Sequence, residues 1–336
     1  MKYTAAIVDA FTDKPYSGNP AGVVYLGGDP FPYEELCIRA AAELRFSETA
    51  FIRKLTETEY ALRYFTPVCE AALCGHATVA SFSFLRDKKI CGLGDMLVHT
   101  KSGDIRVSVE RDEVWLDMAE AKTVLEIDEW TRTELYKAYG LPIRNEVKGL
   151  IPKAVSVGLT DVLLPVDNRE ELDSAVQNEA AISEISRRLD VTGVHMFCLT
   201  DDGFTAHCRN FAPLYGIPEE CATGTSNGAL FHYLYEYGIV GPSPVRFIQG
   251  EKMGRPSVIM AKLEDGRVRV GGPALSLWKA LSCFDFFSCM MLLVSAIFNQ
   301  WLFSLSKQAV YSRFGLVYHM PVGTEKKMKR GTKIWN

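Results

Sequence analysis

Two segments of this sequence constrain its fold more than any others, because each reads as a helix without a polar face. Cys74 to Arg86 (Cys-Gly-His-Ala-Thr-Val-Ala-Ser-Phe-Ser-Phe-Leu-Arg) is apolar nearly all round, the pattern of a helix buried on every side. A second small-residue segment, Cys221-Ala-Thr-Gly-Thr-Ser-Asn-Gly228, opens a helix that runs to about Tyr237. Short apolar or alternating runs surround both. Before and after the first lie Ala5–Phe11, Ala21–Leu26, Glu48–Ile52, Tyr60–Phe65, Asp104–Val109 and Glu113–Asp117. The second is accompanied by Ala154–Val157, Val162–Val166, His195–Leu199, His207–Phe211, Val245–Ile248, Ser257–Met260 and Arg267–Val270. These runs read as strands. The turn-rich Thr12–Pro20 makes the first two a hairpin, Pro32–Leu44 has helical spacing, and Glu179–Arg188 reads as a polar helix. The expected fold class is therefore α+β in two similar halves, residues 1–118 and 119–266, with central helices near 74–87 and 223–237. A strand near 267–278 is available to complete the first half.

The remaining tail, 280–336, differs in character. Phe286 to Ser306 carries no charge and is followed by Lys307, Arg313 and a basic cluster from Lys326 to Lys333. Its length meets the rough minimum of about 18 residues for a membrane span, but Asn299 and Gln300 interrupt it. The expectation is an added helix or an appended sequence with no packed role rather than an anchor. A formal net charge of −4 over 336 residues, 48% of them hydrophobic and 23% charged, describes a soluble folded chain. It offers no basic stripe for nucleic acid. The nine cysteines form no Cys-x-x-Cys and match no zinc signature, so no metal is expected and a reducing cytoplasm fits.

The two helix starts are the first candidates for chemistry. A helix N-terminus offers free N–H groups and about half a positive charge, so two facing one cleft would receive a carboxylate. The same Ser and Thr residues also serve ordinary capping. Glu48, in Phe46-Ser-Glu-Thr-Ala-Phe51, has apolar neighbours on both sides; a carboxyl withdrawn from water moves toward the range a general base needs. The alternative is a solvated glutamate at a strand start. His76 could be a neutral donor at its helix end, or could cap or pack. Glu220 could orient His76 or the substrate; beside Glu219 it could equally be a dipole partner of the following helix. Cys74 and Cys221 each lie near a helix start, where the dipole lowers a thiol's pKa, and a facing thiol pair is what a two-base epimerase needs. Small buried cysteines are the competing reading. There is no dinucleotide loop, P-loop, Gly-x-Ser-x-Gly elbow or His-Glu-x-x-His, which leaves cofactor-free proton transfer.

Several strings together resemble the PhzF-like (phenazine-biosynthesis-like) family. They are Asp9-Ala-Phe11, Gly18-Asn-Pro-Ala-Gly22, Ser47-Glu-Thr-Ala-Phe51, Arg63-Tyr-Phe-Thr-Pro67, Glu70 and Leu73-Cys-Gly-His-Ala-Thr78. Further along come Ala222-Thr-Gly224, Gln249-Gly250, Met253-Gly-Arg-Pro-Ser257 and Val268-Arg-Val-Gly-Gly272. They span about residues 5 to 275. The resemblance implies a diaminopimelate-epimerase-like fold, two pseudo-symmetric halves, each a strongly curved, mostly antiparallel sheet or barrel around a central helix. It implies an isomerase acting between the halves without a cofactor, as a cytoplasmic homodimer, on a small carboxylic acid that is cyclic or unsaturated. Glu48 stands where the family's proton-transferring glutamate stands, with His76 and Glu220 beside it as catalytic candidates. Asn19, Gly75, Thr223, Gly224 and Thr225 match positions that hold substrate. Where the family usually has Asp-Pro-Ala-Thr-Gly-Ser, this chain has Glu220-Cys-Ala-Thr-Gly-Thr225, and Ala72 replaces an acid two residues before Cys74. Two other readings stay open: an amino-acid epimerase using Cys74, whose second thiol would be expected at Thr223, and a non-catalytic binding protein on the same fold.

Overall fold

Why two apolar helices force the rest of the architecture is visible in what surrounds them. The computed structural model describes residues 3–277; the expectations for 280–336, including the 286–306 segment, fall outside them. Among the described residues no helix is long and apolar enough to cross a membrane. Six α-helices form there: α1 (Glu34–Leu44), α2 (Gly75–Asp87), α3 (Glu129–Ala138), α4 (Arg169–Ser174), α5 (Glu179–Leu189) and α6 (Gly224–Glu236). In α2 every residue from His76 to Leu85 is buried, and α6 is buried from Ser226 to Phe231. The hydroxyls of α2 do not contradict its apolar reading. Thr78 and Ser81 donate to the carbonyls of Cys74 and Ala77, four residues back, at 2.7 and 2.6 Å, so they meet the surrounding core already satisfied.

Strands close around each helix in the same order. In the first half β1 (Thr4–Ala10) and β2 (Asn19–Tyr25) form the expected hairpin, β2 runs parallel to β3 (Thr49–Lys54), and β3 is antiparallel to β4 (Glu59–Phe65). The two-residue β5 (Glu70–Ala71) turns back on β4 and leads into α2. After the helix, β6 (Gly94–Thr100) lies parallel to β4, followed by antiparallel β7 (Gly103–Val109) and β8 (Val114–Asp117). The second half opens with β9 (Lys122–Glu126) against β10 (Lys153–Ser156). From there β10 and β11 (Thr160–Pro165) are antiparallel, β11 and β12 (Gly193–Leu199) parallel, β12 and β13 (Ala206–Ala212) antiparallel. The short β14 (Ile217–Glu220) turns back on β13 and leads into α6. Then β15 (Val245–Gln249) lies parallel to β13, with antiparallel β16 (Ser257–Glu264) and β17 (Arg267–Gly272) after it.

This repeated sequence of pairings, with a helix inside each, is the pseudo-symmetric α+β architecture. The halves share a border, because β17 also pairs with β8 and β18 (Ala274–Ser276) pairs with β1. Besides β5, β6 and β14, three further elements had no counterpart in the sequence reading. Strand β9 is exposed at nearly every position, so no two-residue alternation marks it; α3 and α4 are short and largely polar.

Beneath α6 lies a polar core that a hydrophobic pattern does not announce. Asp161 of β11 is fully buried, and Ser226 Oγ of α6 donates to its Oδ2 at 2.6 Å. Asn210 of β13 donates to Ser226 Oγ at 3.0 Å and lies 3.4 Å from His195 Nδ1. Burial raises the Asp161 carboxyl from its ordinary 3.8 to about 6. The folded chain thus keeps a proton that the unfolded chain releases near pH 4, and native stability falls as pH rises from about 4 through 6. The loss, on the order of 2–3 kcal/mol, persists above that range. Asp161→Asn cannot titrate. In urea unfolding at pH 4 and pH 7.5, the variant should gain about 2 kcal/mol on the wild type at the higher pH; a difference that ignores pH would refute the buried protonated carboxyl.

Candidate active site

Both central helices begin without the Asp or Asn caps that α3, α4 and α5 have. Asp128, Asn168 and Asn178 cap α3, α4 and α5, each accepting from a backbone N–H three residues on at 2.9–3.1 Å. Cys74 and Thr223, the residues at the same position before α2 and α6, are extended and close no such bond. The Cys74 thiol meets the Ala77 N–H in the first turn of α2; neither start takes an Asp or Asn cap. A Cβ added at Gly75 would meet open space, and one at Gly224 only ordinary contacts with Val270 and Phe11. Neither glycine is required by the chain's own packing at that point. Thr225 lies half-buried in the first turn of α6.

Glu48 sits at the start of β3, its backbone carbonyl accepting from the Gly22 N–H of β2 at 3.2 Å. Its side chain turns inward rather than to solvent: His76 Nε2 is 3.4 Å from Glu48 Oε2, with the two side chains 9% and 19% exposed. Cys74 Sγ lies 3.4 Å from His76 Nδ1 and 3.9 Å from Nε2. One consistent proton assignment has the Cys74 thiol donating to Nδ1, with Nε2–H facing the Glu48 carboxylate. The donor atoms of Glu48, Cys74 and His76 all lie within 4.8 Å of one another, although their sequence spacing matches no metal signature.

The other wall comes from the second half. Asn19 Nδ2, at the start of β2, donates to Glu220 Oε1 at 2.5 Å and to the Ala222 carbonyl at 3.0 Å. Burial raises the Glu220 carboxyl above its ordinary range; nearby His76 opposes this, Glu48 adds to it, and the Asn19 hydrogen bond opposes it. The sequence-predicted residues Glu48, His76, Glu220 and Asn19 thus meet electrostatically or by contact. Gly75, Thr223, Gly224 and Thr225 form the two helix starts beside them.

The thiol expectation is corrected. A helix dipole alone would lower both thiols, but burial dominates. Burial first and Glu48 second push Cys74 well above its ordinary value. Burial and Glu220 push Cys221 to about 12, and its Sγ points to the Gly18 carbonyl at 3.5 Å. At Thr223, Oγ1 donates to Asn210 Oδ1 and accepts from Gln249 Nε2, both at 3.2 Å. Gln249 also donates to the Glu220 carbonyl at 2.7 Å and accepts from Thr223 N and Asn227 Nδ2. Sequence reasoning gave Asn210, Asn227 and Asp161 no role and carried Gln249 only within a family string. Glu70, from another of those strings, is bound to Arg63 at 2.7 Å and to Lys101 at 3.1 Å. Two surface hollows of this molecule, around Arg106 and Arg269 and around His232 and Arg267, do not touch the residues above.

Comparison with known proteins bears on the family and the fold. The family described as phenazine biosynthesis-like protein matches residues 8–280. An uncharacterized isomerase of Deinococcus radiodurans is 34% identical over 279 residues, spanning 79% of this chain and 88% of its own. The uncharacterized isomerase YddE of Escherichia coli is 29% identical, with 83% of this chain and 98% of its own covered. Among solved structures, the phenazine biosynthesis protein of the PhzF family from Bacillus anthracis superposes with a TM-score of 0.72 at 24% identity, covering 82% of this chain and 97% of its own. A hydroxyproline epimerase from Agrobacterium vitis shares the fold more distantly, with a TM-score of 0.54 at 15% identity over 82% and 90% of the two chains.

What holds the second helix start in place is a glycine turn and one arginine. Arg255 donates to Asp9 Oδ1 at 2.7 Å and to the Gly18 and Ser17 carbonyls at 2.8 and 2.9 Å. It thereby ties the loop before Asn19 to the loop after β15. Gly250 has φ +82°, and a Cβ there would stand 2.5 Å from both the Arg255 and Cys221 carbonyls. Gly250→Ala must strain the backbone and displace one of them, at a cost of about 3 kcal/mol or more. Urea unfolding should show that loss; a variant as stable as the wild type would refute the close approach.

Proposed function

The chain belongs to the phenazine biosynthesis-like family and is an isomerase, and from that premise we propose that it moves a proton within a small carboxylic acid, with Glu48 as the carrier. The observation that carries this reading is the pairing of Glu48 with His76 between two helix starts that take no Asp or Asn cap. The free N–H groups hold the substrate carboxylate, where the dipole ends favour negative charge. Glu48 takes a proton from a C–H activated by conjugation. His76 Nε2–H steadies the glutamate in its ionised form, and the charge left on substrate spreads into its unsaturated system. Glu48 then returns the proton at another carbon on the same face, so one carboxyl performs both steps. A positioned acid/base of this kind contributes about 10²–10⁴-fold, with orientation adding more. Glu220 and Asn19 fix the opposite wall, and Gly75, Gly224 and Thr225 leave room beside the helix ends. The same reading has no cofactor or metal in the reaction, no nucleic-acid partner, and a homodimer in the cytoplasm as the working unit.

A two-thiol epimerase is the weaker reading. Its second acid/base would fall at Thr223, whose hydroxyl proton is committed to Asn210, and Cys221 is turned toward Gly18. A missing member of such a pair usually costs most of the activity. Deuterium incorporation from heavy water into cyclic dienoic and amino carboxylic acids separates the possibilities. Glu48→Gln should lower exchange by at least about 100-fold, while Cys74→Ser keeps it. Loss with Cys74→Ser and not with Glu48→Gln would instead mean thiol chemistry, and no exchange with any acid would mean a binding protein.

A further inference from the structure

We propose that Glu48, Cys74 and His76 also form a capture site for a soft divalent transition ion, Zn²⁺ foremost, and that its occupation switches the enzyme off. Zinc binds thiolate at about 2.3 Å, imidazole nitrogen at about 2.0–2.1 Å and carboxylate oxygen at about 2.0–2.2 Å, in a tetrahedron. The edges of such a tetrahedron are roughly 3.6 Å from sulfur to nitrogen and roughly 3.4 Å from nitrogen to oxygen. Here Cys74 Sγ is 3.9 Å from His76 Nε2, and Nε2 is 3.4 Å from Glu48 Oε2. The third edge, from sulfur to carboxylate oxygen, is no longer than 4.8 Å against roughly 3.6 Å in such a tetrahedron, so side-chain shifts of at most about 1 Å complete three corners. The fourth is left for water or a ligand group.

Charge and ligand chemistry point the same way. Three acids near this region each have an arginine: Asp9 with Arg255 at 2.7 Å, Glu70 with Arg63 at 2.7 Å, and Glu219 with Arg209 at 2.9 Å. Glu48 is given His76 and Glu220 is given Asn19 instead. Two carboxyl groups without such a cation favour an arriving cation. Thiolate with imidazole selects zinc or cobalt over magnesium and calcium, which take oxygen ligands. Binding is a proton exchange without redox change. The Cys74 thiol proton leaves to solvent, the His76 proton moves to Nδ1, and Nε2 gives its lone pair to the ion. Glu48 is then a ligand and no longer free to carry a proton. The inhibition, unlike the binding, rests on the function proposed above.

Cobalt serves as the visible probe. The full chain, freed of metal by chelator, is titrated with Co²⁺ while the thiolate-to-cobalt absorption in the near ultraviolet and the visible bands of tetrahedral cobalt are followed. One ion per chain should bind and be displaced by Zn²⁺. Cys74→Ser should abolish the thiolate band, and His76→Ala should weaken binding beyond the about 10–100-fold that loss of a supporting group costs. Cys69→Ser, which removes an exposed thiol outside the site, should change nothing. The unfolding midpoint of each variant shows that it is folded. A band that survives Cys74→Ser, or no band in the wild type, overturns the site. Zn²⁺ should also stop deuterium exchange, and chelator should restore it. Cobalt bound with exchange untouched by zinc overturns the inhibition and with it the role of Glu48. Exchange absent before metal is added sinks the proposed function alone, because the spectral titration still reads the site.

Discussion

A helix enclosed on all sides by strands can offer the outside only its ends. That constraint organises this molecule twice. The flanks of α2 and α6 are spent on core packing, which leaves the backbone amides at their first turns as the groups able to meet a ligand. At α3, α4 and α5 an Asp or Asn side chain accepts from the first turn; at α1 and at the two central helices none does. In the function proposed above, the acid/base group, Glu48, comes from beside a neighbouring strand rather than from the helix itself.

The second constraint is that the two ends must be held together by groups that are themselves satisfied. Asn19 joins the halves by direct hydrogen bonds, and Arg255 fixes the loop from which Asn19 emerges. On the α6 side the chain of contacts runs from Asp161 through Ser226, Asn210 and Thr223 to Gln249 and the Glu220 carbonyl. Such a network is rigid because each member has one partner arrangement available, and a buried group left without its partner costs about 1–3 kcal/mol. The polar side chains beneath α6 therefore bear on the candidate site through Thr223 and the Glu220 carbonyl.

The central helices and the opening hairpin were legible because their signals are local, whereas Glu48 and His76 were brought together only by the resemblance to a family. An all-round apolar helix and a Gly-Asn-Pro turn each fit within a dozen residues. The polar core was not legible. Asn210 lies in a strand buried at all seven positions, and in sequence a polar residue in a strand reads as its solvent face. The thiols misled for a related reason: nearness to a helix start can be read from the sequence, while burial and the carboxylates around Cys74 and Cys221 come from distant segments. Strand β9 escaped because an exposed strand has no alternation to show.

The shared border between the halves has a temporal side. The first ring of strands is closed by β17 and β18, with Val8 of β1 facing Ser276 of β18 and Leu116 of β8 facing Val270 of β17. On the ribosome, the opening half is made long before the strands that seal it. Until they emerge, the inner strand edges of β1 and β8 stay open and the core around α2 lacks part of its wall. Contacts of such sequence separation slow folding, and unpaired edges invite association with other chains. The strands that seal the first ring therefore join it only after both central helices have been made.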